Sequence, residues 1–133
     1  PPALHPTAGA TVVGARWPLI AFNVNLDTPE LAVAREVARA VRSSSGGLPC
    51  VRAIGVFLAE KNQTQVSMNL TNYRVTPLHA AFEAVREQAT RRGARVVGSE
   101  IVGLVPAEAL ARTAAYYLGA ASFVPEQLLE SHL

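Results

Sequence analysis

Asn23 and Asn25 stand two residues apart in the run Pro18-Leu-Ile-Ala-Phe-Asn-Val-Asn-Leu26, and Gln65, Ser67 and Asn69 repeat that spacing in Gln65-Val-Ser-Met-Asn-Leu70. Each carboxamide both donates and accepts, so these groups can make several directed hydrogen bonds, and leaving them dry and unpaired would be costly. They suit recognition of a polar ligand better than proton transfer. The bland alternative is a solvated sheet face, although such faces usually carry charge and threonine rather than uncharged amides. Three further side chains add charge. Arg16 could grip a carboxylate through two parallel bonds. Lys61, the sole lysine of the chain, falls at a polar turn, where it is either a solvated turn residue or a partner for ligand carboxylates. His79 titrates in a range useful for acid–base work, but it lies at the start of a helical pattern and reads first as a residue that holds that helix in place; His132, near the end of the chain, reads as a solvated side chain.

The elements that must position these groups are written in the apolar pattern. Side chains alternate along a strand, so Ile20, Phe22, Val24 and Leu26 share a core face while Ala21, Asn23 and Asn25 share the other. Val66, Met68 and Leu70 do the same against Gln65, Ser67 and Asn69. A helix is expected after Asp27-Thr28-Pro29-Glu30, with Thr28 as cap and a stripe through Leu31, Ala34, Val37, Ala38 and Val41, closed by Ser43-Ser-Ser-Gly-Gly47. Val51–Leu58 reads as a strand with Ile54, Val56 and Leu58 on one face and the small Ala53 and Gly55 on the other. Glu60-Lys-Asn-Gln63 then turns it back as an antiparallel hairpin. Thr76-Pro77 opens a second helix with Leu78, Phe82, Val85 and Ala89 inward and Gly93 as its stop. Arg95–Val105 reads as a fourth strand, Pro106 starts a third helix, and Val124-Pro-Glu126 starts a short last one. Ahead of all this, residues 1–16 read as an irregular lead-in rich in Pro and Gly, with a short extended piece over 10–16.

Strand, helix, strand, strand, helix, strand is a doubled unit: the α+β, ferredoxin-like (βαββαβ) antiparallel sheet, with both helices on one face and C-terminal helices added. Residues 1–133 are read as one such domain. The fold makes the first and third strands central neighbours, which joins these five polar groups, four amides and one hydroxyl, on the face the helices leave open. Ala21, Ala53, Gly55 and Gly98 are expected around that patch, letting a ligand or another sheet approach closely.

Composition narrows the function. The 133 residues are 50% hydrophobic, enough for a core. Twelve basic residues against ten acidic ones leave a net charge of only +2, so neither a nucleic-acid partner nor a membrane surface is implied. One cysteine excludes an internal disulfide and makes a structural zinc site implausible, which favours the cytoplasm. No run approaches a bilayer span. No Ser-His-Asp order or glycine-rich phosphate loop occurs, and Gly98 to Gly103 lacks the strand-turn-helix setting a nucleotide loop requires. The start at Pro1, without methionine, is expected to follow an upstream segment.

Five blocks together, Pro18–Leu26, Glu60–Asn62, Gln65–Leu70, Val75–His79 and Val97–Pro106, resemble the second half of the formiminotransferase domain of glutamate formimidoyltransferases and formimidoyltransferase-cyclodeaminases. The resemblance covers nearly the whole chain. It implies two ferredoxin-like subdomains in tandem, a folate tunnel between them, and transfer of the formimino group of formiminoglutamate to tetrahydrofolate, a step of histidine degradation and one-carbon metabolism. It also implies that the catalytic histidine belongs to a first subdomain that this chain lacks, carried in the same or a separate chain. Carried over residue by residue, it implies folate or substrate contacts from Pro6, Gly9, Gly14 and Arg16, beside Asn23, Asn25, Lys61, Gln65, Ser67 and Asn69, and it implies no catalytic residue and no metal ligand. His5 stands where the family tends to be apolar, and Glu100 where an amide is common. A homodimer or larger oligomer is expected, and a non-catalytic ferredoxin-like interaction or oligomerisation module is the alternative from a different class.

Overall fold

The computed structural model describes residues 3–133; Pro1 and Pro2, the first residues of the expected ligand-contacting lead-in, lie outside the described residues. Strand β1 (Ile20–Leu26) is followed by α1 (Leu31–Val41), the hairpin β2 (Val51–Leu58) and β3 (Gln63–Leu70), α2 (Leu78–Thr90), β4 (Val96–Val102) and α3 (Ala107–Leu118). The strands form one sheet in the order β2-β3-β1-β4, and every neighbouring pair is antiparallel. This is the ferredoxin-like arrangement, with β1 and β3 at the centre. Among the described residues no helix is long and apolar enough to cross a membrane.

The core lies between the sheet and the helices. Ile20, Val24 and Leu26 of β1 and Val66, Met68 and Leu70 of β3 are fully or almost fully buried, against Ala34, Val37 and Val41 of α1 and Leu78, Ala81 and Val85 of α2. The two-residue and the three-to-four-residue periods of the sequence thus meet in one cluster. The helix ends follow the expected signals in part. Gly93 takes φ +75 and Gly119 φ +68 just beyond α2 and α3, and the Ala94 and Ala120 N–H groups bond back to Ala89 and Ala115. Thr28 Oγ1 accepts the Glu30 N–H at 3.2 Å but does not cap α1, which starts only at Leu31 with Glu30 as its N-cap and no side-chain cap bond. Thr76 does not cap α2: its hydroxyl donates instead to the carbonyl of Pro49, tying the approach to α2 to the loop before β2.

The faces of β2 are the reverse of the expected ones. Val51 and Ala53 are buried in the core, whereas Ile54 is 61% exposed. Ala53 pairs with Met68 and Gly55 with Val66, so both small residues point toward the helices. At Gly55 the reason is a close approach: a Cβ there would come within 2.5–2.6 Å of the Ala34 and Arg35 backbone. Ala53 and Gly55 therefore do not border the open patch. Ile54, Val56 and Leu58 do, together with Arg52. Residues 10–16, expected as a short extended piece, join no strand, and the lead-in is exposed.

Candidate functional site

The open face is built across three strands. Register places Asn23 opposite Ser67 and Asn25 opposite Gln65 on β3, and opposite Glu100 and Gly98 on β4. Ala21 pairs with Asn69 and with Val102. Because β1 and β3 spend their apolar side chains on the core, their polar ones have only this face to occupy, and the amides gather there as expected.

The groups are wired to each other. Gln65, 6% exposed, donates from Nε2 to Asn25 Oδ1 at 2.9 Å and to Glu100 Oε1 at 2.8 Å. Asn23 Nδ2 donates to the same Glu100 oxygen at 3.0 Å. These bonds, Asn23's first and Gln65's second, hold the Glu100 carboxyl below its ordinary range against the opposing effect of burial, with the charge of Lys61 adding last. The Glu100 carboxylate is the hub of the patch. Lys61 ends the turn Ala59–Lys61 and shares with Gln65 and Glu100 a hollow of about 380 Å³. Ser67 and Asn69 continue the same face toward β2, where Asn69 stands opposite Arg52.

The lead-in residues are elsewhere. Pro6, Gly9, Gly14 and Arg16 are exposed. Within the segment, His5 Nδ1 accepts the Thr7 and Ala8 N–H groups at 3.3 and 3.1 Å, and Gly9 N–H bonds to the His5 carbonyl. Arg16 donates to the Trp17 carbonyl at 3.5 Å. Arg74 lies over the Trp17 ring, 5.6 Å from its centroid, which fixes the place where the segment enters the sheet. His79 is on the helix side of the sheet. Its ring stacks on Tyr116 with centroids 4.3 Å apart, and burial pushes its pKa down, opposed by Glu83. With Phe82, Ile101, Leu110 and Tyr117 it lines an apolar hollow of about 400 Å³ between β4, α2 and α3, whose β4 wall includes Ser99 and Glu100. Burial, and then its bond to Glu83, raise the Tyr117 hydroxyl to about 12, so it stays protonated there.

A model of the formiminotransferase domain matches residues 21–129. The chain belongs to the formiminotransferase domain family. It is 48% identical over 131 residues to glutamate formimidoyltransferase of Streptococcus pyogenes serotype M1, covering 98% of this chain and 44% of the relative. With glutamate formimidoyltransferase of Thermoplasma acidophilum the identity is 48% over 129 residues, 97% of this chain and 43% of the relative. With formimidoyltransferase-cyclodeaminase of Mus musculus it is 48% over 123 residues, 88% and 23%. This formiminotransferase-domain chain therefore spans less than half the length of the curated relatives it matches.

Reading the sequence missed Glu100 on β4 and, on β2, Arg52 and the margin Ile54–Val56–Leu58, because both strands have apolar residues on both sides. The signal was present in Arg52, whose parity with Ile54 marks that side as the wet one.

Proposed function

We propose that this chain forms the folate-binding wall of a glutamate formimidoyltransferase, working with a first subdomain that carries the catalytic base. The observation that carries this reading is the preorganised amide and carboxylate patch on a sheet face that the helices leave uncovered. Membership of the formiminotransferase domain family supports it, as do relatives named glutamate formimidoyltransferase.

In this proposal tetrahydrofolate and formiminoglutamate are co-substrates held between two walls. N5 of the folate attacks the formimino carbon and forms the new C–N bond. The bond from that carbon to the glutamate nitrogen breaks, and the base on the opposite wall carries the N5 proton toward the leaving nitrogen, releasing glutamate. Asn23, Asn25, Gln65, Ser67 and Asn69 orient the pterin and the substrate. Pro6, Gly9, Gly14 and Arg16 reach the folate when the lead-in lies along the closed tunnel, and the enzyme acts in the cytoplasm, in histidine degradation. Orientation of two reactants is worth several kcal/mol and a general base about 10²–10⁴-fold in rate, and one wall alone supplies neither in full.

The test is a transfer assay with formiminoglutamate and tetrahydrofolate on this chain alone, and on this chain mixed with the first half of a relative. The expected result is no turnover alone and recovered turnover in the mixture. Robust turnover by the single chain, lost in His79→Ala, would make His79 the base and overturn the half-site reading.

A further inference from the structure

The open face carries an anion and a cation at one end. Glu100 and Lys61 line the same hollow, bordered by the apolar Phe57, Leu58 and Ala59 and by a second carboxylate, Glu60. Among the described residues neither Glu100 nor Lys61 belongs to an ion pair. Glu100 has a fixed pose, since two amide donors from different strands converge on Oε1, and no described residue bonds Oε2. Lys61 is carried on a one-turn helix closed by Asn62, whose φ of +48 makes the chain reverse sharply. Among the described residues Glu60 also belongs to no ion pair.

A purely cationic ligand would meet repulsion from Lys61, and a purely anionic one from Glu100. A ligand with a cationic N–H group beside a carboxylate satisfies both, and the apolar border accommodates a short methylene chain. We propose that this hollow is a specificity site for the zwitterionic head of an amino acid, with Glu100 receiving the cationic N–H group and Lys61 the carboxylate. The ligand follows from the proposed function, on which this clause alone rests: N-formimino-L-glutamate has a planar amidinium on the nitrogen next to its α-carboxylate. A free amino acid presents the same pair of charges with an ammonium instead.

The experiment is an NMR titration of the ¹⁵N-labelled chain with N-formimino-L-glutamate, L-glutamate and N-formyl-L-glutamate, the last keeping both carboxylates but having no cation. Shifts are expected at Lys61, Gln65 and Glu100, with N-formyl-L-glutamate about tenfold weaker, as for loss of one charged hydrogen bond. Glu100→Gln should weaken the formimino compound about tenfold while the formyl compound, relieved of a like charge, binds no more weakly than before; Lys61→Gln, on an exposed turn that tolerates change, weakens both. Glu60→Gln should do neither. Equal binding of formimino and formyl compounds, indifference to Glu100→Gln, or no binding by the folded chain at millimolar ligand each overturns the proposal. L-glutamate binding as tightly as the formimino compound assigns the site to the free amino acid head. A parallel titration with 5-formyltetrahydrofolate separates the two readings: if it leaves the Asn23, Asn25 and Ser67 amides unmoved while formiminoglutamate binds, the folate wall fails and the zwitterion site stands.

Discussion

Phe22 and Asn25 occupy opposite sides of β1, and truncating them should have opposite consequences. Phe22 is 5% exposed within the core, so Phe22→Ala should cost about 3–5 kcal/mol in urea denaturation. Asn25→Ala removes one acceptor from Gln65 and should cost only about 0.5–1.5 kcal/mol. In a complete two-subdomain enzyme the same change should weaken binding of 5-formyltetrahydrofolate by a similar or larger amount. An Asn25→Ala protein that melts as early as Phe22→Ala yet binds normally would make the patch structural. Glu100 supplies a pH test. Its folded pKa lies below the ordinary 4.5, so the unfolded chain takes up its proton first on acidification. The stabilisation is present above the unfolded value and is lost as pH falls through the folded one. Melting temperatures of the parent and of Glu100→Gln should therefore draw together below about pH 4.5.

Among the elements, β2 shows where sequence patterning stops deciding. The strand order, and the meeting of Asn23 and Asn25 with Gln65 and Ser67, were legible because β1 and β3 alternate strictly and the βαββαβ order admits one arrangement. β2 and β4 carry apolar residues on both sides, so alternation could not say that Gly55 lies under α1, nor that Glu100 joins the amides. The lead-in has no periodicity at all, and nothing in it marks where Arg16 would lie. Gly55→Ala should push α1 off the sheet and cost about 1–3 kcal/mol, whereas Gly98→Ala, with nothing within 4 Å of its added carbon, should stay within about 0.5 kcal/mol of the parent. Urea midpoints measure both. The junction of α2 and α3 adds a second pH effect. Because His79 is held neutral by burial, the unfolded chain binds its proton more readily, and stability should fall as pH drops below the ordinary 6.5 toward the lower folded value. His79→Phe retains a ring against Tyr116 and should flatten the dependence of the melting temperature on pH below the ordinary 6.5; an unchanged slope would remove His79 from the account.

At the scale of the whole molecule, one layer of helices protects one side of the sheet, and the other side has apolar Ile54 and Val102 exposed beside the amides. A face of that composition is expected to be covered, by the first subdomain when present and by a second copy otherwise. Sedimentation equilibrium of this chain should show concentration-dependent association that the first half of a relative competes away; a strict monomer at high concentration would speak against it. The direction of the hydrogen bonds on that face has a last consequence. A carboxylate can only accept, so both side chains that reach Glu100 must present N–H to it, which fixes Gln65, and Gln65 in turn fixes Asn25. One acceptor at one position thus sets the polarity of the whole row: Asn25 shows outward donors, and Asn23 an outward oxygen. An amide in place of Glu100 would let the row run in either sense, two degenerate messages on one surface, and a ligand would have to select between them; with glutamate the surface carries a single spelling before any ligand arrives.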